Sequence, residues 1–371
     1  MNLRGSWGTV IGPGLVWGLA VSGHELIQVV MPVHAAAFGV TLPVVGFLLS
    51  INKIIRVIGY GWVVALGRRV GPRGLMLIAS AAASGTTFVY AWCDGWPALT
   101  AARLIWGLGF AALNLGTLMY AMSIVEGAGT RVGLTRSLGA IGPALVLGLG
   151  SAAVGWLGPR EVFVAVGLFM ALAIPLAWAL PPLAVAEEPA GRRRLSQPTV
   201  LDLFYFMVGF AIDGLFVMTV ALMFLDRYSV ETAVLSGGLL LGVRYIAAIV
   251  VSPFGGWLGD RFGAWRLQIL FGLLFAAGFG LTAFGLPVLG GVVIVSARAV
   301  LAVLGNLVIA QRDGGGSMVA LSRLATWTDM GGAVGPMLIG TLIPVFGLQP
   351  LYGVGAVLLT LSVAVLAWRG R

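Results

Sequence analysis

Gly255-Gly256-Trp257-Leu258-Gly259-Asp260-Arg261-Phe262-Gly263-Ala264-Trp265-Arg266 is a short, charged, glycine-rich stretch set between two long apolar runs. It reads as a tight loop joining two membrane helices. Glycines let the helix ends approach and turn. The acid and the arginines can pair with each other, with neighbouring helix ends and with lipid headgroups. A weaker copy lies earlier, where Val64 to Arg73 holds Gly67-Arg68-Arg69-Val70-Gly71-Pro72-Arg73 at the matching place. There Arg68 stands where the later copy has Asp260. Two such loops about half a chain apart point to a duplicated membrane protein.

Composition agrees. Of 371 residues, 59% are hydrophobic and 9% are charged, with a mean hydropathy of +1.03. Soluble domains carry about a quarter charged residues, so the chain falls outside the globular class. A spanning helix needs ~20 apolar residues, so twelve with short loops use roughly 240–280 and leave no room for an extramembrane domain. The single cysteine, Cys93, excludes an intramolecular disulfide and a multi-cysteine metal site, and two histidines exclude a histidine-rich one. No metal and no cofactor are expected.

The net charge of +9 is explained by position. Loops assigned to one side hold Arg4, Arg68, Arg69, Arg73, Arg131, Arg192, Arg193, Arg194, Arg261, Arg266, Arg312, Arg369 and Arg371. Loops on the other side hold only Arg160 and Arg227. That imbalance follows the positive-inside rule and puts both termini in the cytoplasm; it reports topology, not a nucleic-acid partner. Gly14 to Ala36 is apolar but lacks a small-residue cleavage site and is followed at once by another span. It reads as the first transmembrane helix, not a signal peptide.

The expected fold class is an all-α membrane protein with twelve transmembrane helices in two six-helix, pseudo-symmetric halves. Helices are expected near 12–36, 41–66, 73–94, 97–125, 132–157 and 160–182, then near 199–226, 231–258, 265–286, 288–311, 318–346 and 349–369. The N-terminal bundle is thus 1–182 and the C-terminal bundle 199–371. A cytoplasmic linker over 183–198 carries Glu187-Glu188-Pro189, Gly191 and Arg192-Arg193-Arg194. The halves repeat. Ala102-Arg103 matches Ala297-Arg298, 195 positions on; Gly142-Pro143 matches Gly335-Pro336, 193 on; Gly71 and Gly263 lie 192 apart.

The loop pattern Gly259-Asp260-Arg261-Phe262-Gly263 through Arg266, with its earlier echo, resembles the charged loop between the second and third helices of each half in the major facilitator superfamily. Arg103-Leu104-Ile105-Trp106-Gly107-Leu108-Gly109 resembles that superfamily's fourth-helix motif. Gly139-Ala140-Ile141-Gly142-Pro143, and Gly331-Gly332-Ala333-Val334-Gly335-Pro336 like it, partly resemble its exporter motif. The resemblance implies two parallel six-helix halves with a substrate site at midplane, alternating access, and a monomer. It further implies a bacterial inner-membrane protein working as a proton-coupled exporter. Arg68 departs from the pattern and puts the usual charge relay of the first half in doubt.

An ionisable residue at membrane depth costs a few kcal/mol, so each is a functional hypothesis. Asn52, Lys53 and Arg56 lie mid-way along the second helix, with Asn52 and Arg56 on one face and Lys53 turned about 100° from Asn52. Arg244 is the repeat partner of Asn52 and precedes Tyr245. By the resemblance the second and eighth helices face one cavity, which makes Asn52, Lys53, Arg56, Arg244, Tyr245 and Arg298 the expected substrate-binding set. Proton coupling is expected from Asp213, Glu25, His24 and Arg103. Asp213, in Gly209-Phe210-Ala211-Ile212-Asp213-Gly214, needs a cation from another helix, and Arg244 or Arg298 would serve. Burial disfavours the charged form of a carboxylate and nearby cations restore it, so a balanced group can exchange a proton. Histidine suits a proton switch. Glu25 is the nearest acid to Arg103 by helix order, whereas His34 is interfacial. The bland alternatives are buried pairing for Arg56 and Arg244, a helix-packing hydrogen bond to carbonyls for Arg103, and a simply hydrogen-bonded imidazole for His24.

Arg136 and Asp329 occupy equivalent repeat positions 193 apart and are expected to pair as a gate. Asp260, Arg261, Gly142, Pro143, Gly335 and Pro336 complete the expected conformational set, since proline removes a backbone hydrogen bond and glycine permits close packing. No phosphate-binding Gly-x-x-x-x-Gly-Lys-Ser/Thr loop or nucleophile elbow occurs, so ATP-driven transport and enzymatic chemistry are not expected. Six membrane-depth bases (Lys53, Arg56, Arg103, Arg136, Arg244, Arg298) against three acids (Glu25, Asp213, Asp329) favour an anionic or zwitterionic small molecule. Trp106, Tyr120, Phe206 and Asp213 would instead suit a multidrug exporter of apolar cations. A non-transporting sensor, a scaffold or a lipid scramblase is the reading from another class.

Overall fold

The computed structural model describes residues 7–124, 126–183, 198–217, 219–220, 223, 230–313 and 318–369, and all its regular structure is helical. The expected linker lies almost wholly outside the described residues, as do Arg4, Arg227 and Arg371. A π-helical turn, Trp7–Ile11, leads into α1 (Gly12–Val33), followed by α2 (Leu42–Trp92), α3 (Trp96–Ala121) and α4 (Ala128–Leu145). A second π segment, Val146–Gly150, joins α4 to α5 (Ser151–Leu157); α6 (Val162–Ala171) and α7 (Ala173–Trp178) complete this part. Next come α8 (Val200–Gly209), a π segment over Phe210–Val217, α9 (Val230–Phe262) and α10 (Ala264–Ala283). The last three are α11 (Pro287–Asp313), α12 (Met318–Phe346) and α13 (Leu348–Arg369).

The ends of these helices are written in the sequence. Proline occupies the first turn of α1, α2 and α3, where its missing N–H costs nothing. Thr199 and Asp202 form a reciprocal capping box at the start of α8. α2, at 51 residues, is too long for one crossing of ~30 Å of hydrocarbon, and it holds two helices that meet at a kink. Its backbone leaves the helical region at Gly71 (φ 70°, ψ 171°), immediately before Pro72. The two helices expected near 41–66 and 73–94 are therefore both present and meet at this break in the charged stretch. Gly263, its repeat partner, also has positive φ (90°), a conformation open to glycine without strain. The expected helix near 160–182 runs through α6 and α7 with helical backbone at Leu172 between them (φ −60°, ψ −21°), and the one near 199–226 turns π-helical after Gly209.

Among the described residues, eight helices are long and apolar enough to cross a membrane, and Val162–Trp178 is a shorter apolar one. The chain forms two compact units. The first comprises Met1–Glu126, Leu134–Glu187 and Gly315–Ser322; the second comprises Gly127–Gly133, Glu188–Gly314 and Arg323–Arg371. In the first, α2 packs along α3, and α1 lies against α2, α6 and α7. In the second, α10 packs on α11 and α13, and α9 on α11.

Bare backbone surfaces let helices cross at close range in both units. Gly14 lies against Thr135 and Leu138, and a methyl group on Gly142 would collide with the carbonyl of Gly18. In the second unit, Gly209 abuts the carbonyl of Thr328, and Gly214 abuts Gly335. Thr135 and Thr328, like Gly142 and Gly335, are 193 positions apart, so the crossings are repeats of one another. Small residues at helix crossings are the usual means of packing in membranes.

Candidate functional site

The first unit encloses a polar cluster on α1, α2 and α3. Arg103 is fully buried, and Asn52, Arg56 and His24 are nearly so. The guanidinium of Arg103 donates from Nε to the carbonyl of Leu48 (3.0 Å) and from Nη1 to Nδ1 of His24 (3.1 Å). Its carbon lies 6.0 Å from the ring of Tyr90. The expected acid is not the partner shown here: Glu25 instead accepts from Nε2 of Gln28 (3.2 Å), one turn on along α1. Neighbouring residues on a helix point about 100° apart, and it is His24 that reaches Arg103 of α3 here.

Beside this contact runs a column of arginines and rings. Arg56 lies 4.3 Å over Phe110, Phe110 meets Trp17 edge-on at 5.0 Å, and Arg136 lies 5.2 Å from Trp17. Arg136 also donates to Oδ1 of Asn114 at 2.7 Å. His24 stands 4.7 Å from Trp106 and 6.5 Å from Phe110. A guanidinium over a ring face is held by the ring's quadrupole, more strongly where water is excluded. Lys53 is half-buried, on a different face from buried Asn52 and Arg56. Trp17, Phe110, Asn114 and Tyr90 were not singled out from sequence. Phe110 falls seven residues after Arg103, on the same face of α3, which is the signal that could have found it.

The second unit gathers its own charges. Asp213 sits within the π segment Phe210–Val217, and a methyl group on Gly332 of α12 would come within 2.6 Å of its Oδ2. Single π turns recur at functional sites. Arg298 of α11 is within electrostatic reach of Asp213, Asp329, Arg244 and Tyr205. The expected cations for Asp213 thus belong to one group with it. Arg244 donates to the hydroxyl of Tyr245 (2.8 Å) and lies 5.0 Å from that ring. The hydroxyl of Tyr205 sits between the carbonyl of Leu301 and Oε1 of Gln268.

Two acids at helix starts complete the second unit. Oδ1 of Asp260 accepts from the amide of Gly129 (2.9 Å), and Oδ2 accepts from the amide and hydroxyl of Thr130 (2.8 Å each). Asp260 thereby caps the first turn of α4, where the helix dipole favours an anion. Arg261 is exposed and flanked by Trp257 and Phe262. Asp202, fully buried, closes the Thr199 cap and lies 2.9 Å from Nε of Arg323. Neither Asp202 nor Arg323 was among the expected site residues, although Thr199-x-x-Asp202 is a readable capping signature.

A family model for the Major Facilitator Superfamily matches residues 14–313. A search of curated protein sequences gives no significant match. Solved structures with the same fold include the human organic anion transporter MFSD10 (TETRAN), at 19% identity and a TM-score of 0.74, covering 99% of this chain and 100% of that one. The proton:xylose symporter XylE bound to 6-bromo-6-deoxy-D-glucose gives 15% identity and 0.77, covering 100% and 96%. The transporter FucP in the outward conformation gives 14% and 0.74, covering 96% and 97%.

Proposed function

The chain belongs to the major facilitator superfamily, and from that premise we propose that it is a secondary active transporter that exports an anionic or zwitterionic solute by alternating access, coupled to protons. The chain is a multi-pass membrane protein and a transporter, not an enzyme. The proposal takes the halves as 1–182 and 199–371 with six spans each, both termini in the cytoplasm, in a bacterial inner membrane, as a monomer.

The observation that carries the anionic reading is the excess of arginine at membrane depth, with Arg56 and Arg136 set against rings in the first unit and Arg244 and Arg298 grouped in the second. The fold-level likeness to an organic anion transporter points the same way. Asn52, Lys53, Arg56, Arg244, Tyr245 and Arg298 bind the solute; Asp213, Glu25, His24 and Arg103 handle the proton. Arg136, Asp329, Asp260, Arg261 and the Gly142-Pro143 and Gly335-Pro336 pairs serve the conformational change.

The test is transport in proteoliposomes under an imposed pH gradient, with a panel of organic anions and cationic dyes. Anions should move and dyes should not, and Asp213→Asn should uncouple movement from the gradient. Dye transport with no anion transport would overturn the reading in favour of multidrug export. Movement of lipid alone would favour a scramblase.

A further inference from the structure

Arg56 and Phe110 set a plane in which an anion can be held. The guanidinium carbon lies 4.3 Å over the Phe110 ring, so one face of the group is occupied by that ring. A guanidinium carries its N–H donors in its own plane and matches a carboxylate through two parallel bonds. An acid taken up edge-on by Arg56 therefore lies level with the guanidinium and alongside the rings.

The rings continue beyond Arg56. Trp17 meets Phe110 edge-on at 5.0 Å, and Trp106 leans against it at 5.2 Å with 41° between the planes. Phe110 is half-buried, so part of its surface is left uncovered by the protein. Arg136, also half-buried, stands 5.2 Å from Trp17. The indole N–H of Trp106 is wholly buried and has no acceptor among the described residues, which adds a donor to the array. At membrane depth, α1 to α4 bring Lys53, Arg56, Arg103 and Arg136 against the carboxylate of Glu25.

Charge selects an anion here, and the rings select its shape. In an aryl carboxylate the carboxyl group is conjugated with the ring and lies near its plane. A flat molecule of that kind can set its acid on Arg56 and its ring beside Phe110 and Trp17 without bending. An acid on a saturated carbon turns its chain out of the guanidinium plane and makes no ring–ring contact. Aromatic pairs attract beyond the area they bury, so this array distinguishes two acids of equal charge and similar size.

We infer that the transported solute is an aryl carboxylate, an aromatic ring bearing its acid directly, with the carboxylate on Arg56 and the ring against Phe110 and Trp17. This rests on the anion-transport reading above and narrows it to one chemical class.

Equilibrium binding of radiolabelled benzoate to the full chain in detergent, with unlabelled cyclohexanecarboxylate and benzylammonium as competitors, tests the class. The two acids share their charge and are close in size and hydrophobicity, but only benzoate has a π face. Benzoate should bind at least about fivefold more tightly than cyclohexanecarboxylate, the equivalent of one ring–ring contact. Phe110→Leu should bring the two acids to within about twofold of each other, chiefly by weakening benzoate, and Trp17→Leu should act in the same direction. Arg56→Gln should weaken both acids alike, by about tenfold. Absence of benzoate binding, equal binding of the two acids, or a preference that survives both ring substitutions overturns the aryl class. In each of those cases, movement of other organic anions in proteoliposomes would leave the anion reading standing. Benzylammonium binding more tightly than either acid overturns the anion reading itself, and this inference with it.

Discussion

Thr130 gives Asp260 two hydrogen bonds, one from its amide and one from its hydroxyl, both 2.8 Å long and both to the same carboxylate oxygen. With the Gly129 amide on the other oxygen, an acid in the last turn of α9 caps a helix whose second residue lies 131 positions before it in the chain. Charge-assisted bonds of this kind are worth more than neutral ones.

Asp260→Ala is expected to cost about 2 kcal/mol in the contact and to lower the midpoint of thermal unfolding in detergent. Thr130→Val, which keeps the amide and loses the hydroxyl, should cost about half as much. Equal midpoints for Asp260→Ala and the unaltered protein would show that the cap contributes nothing.

Gly142→Val and Gly335→Val should both damage folding, because the added atoms meet the backbone of Gly18 and of Gly214 and not a flexible side chain. Overpacking of this sort costs about 1–3 kcal/mol or more. Gly61→Ala is the control, since a methyl group there meets nothing within 4 Å. Fluorescence-detected size exclusion should show loss of the monodisperse peak for the first two variants only.

Asp202→Ala strips the α8 cap and leaves Arg323 facing an apolar methyl in place of a carboxylate. Arg323 is about one-third exposed, so the loss is discounted to about 2 kcal/mol. The double variant with Arg323→Ala should recover part of it, with a coupling of about 1 kcal/mol in a thermal double-mutant cycle. Strict additivity would mean that the 2.9 Å approach is not an energetic pair.

Arg56 offers a test of the anion site. Lysine keeps the charge but not the planar face that lies over Phe110. Arg56→Lys is expected to raise KM for an organic anion about threefold, a fraction of a kcal/mol, and Arg56→Gln at least about tenfold, some 1.4 kcal/mol. A KM unchanged by both substitutions would remove Arg56 from the binding set.

Much of this architecture was legible from the chain. Hydropathy, the two glycine-bearing loops and the constant offset were enough to reach the fold, because the bilayer admits so few solutions to the backbone hydrogen-bond problem. Most membrane-depth charges were found one by one, since any such residue stands out against an apolar background. Their partners were less readable. Glu25 was the natural choice for Arg103 by charge, and the contact of His24 with Arg103 was not anticipated. The π segment that carries Asp213 has no composition signal, and the column of Trp17 and Phe110 looked like ordinary lipid-phase apolar sequence.

The matching glycine crossings of the two units differ in one respect. Gly14 corresponds to Gly209 by its contact with the Thr135 and Thr328 pair, an offset of 195; Gly18 corresponds to Gly214 by its contact with Gly142 and Gly335, an offset of 196. The Gly209 and Gly214 contacts are therefore spaced one residue wider than those of Gly14 and Gly18, and the wider turn of the Phe210–Val217 segment accommodates the extra residue. One residue more between two fixed crossings turns the intervening side chains by about 100°. Asp213 lies inside that interval. Its carboxylate lies against Gly332 of α12 within that widened turn.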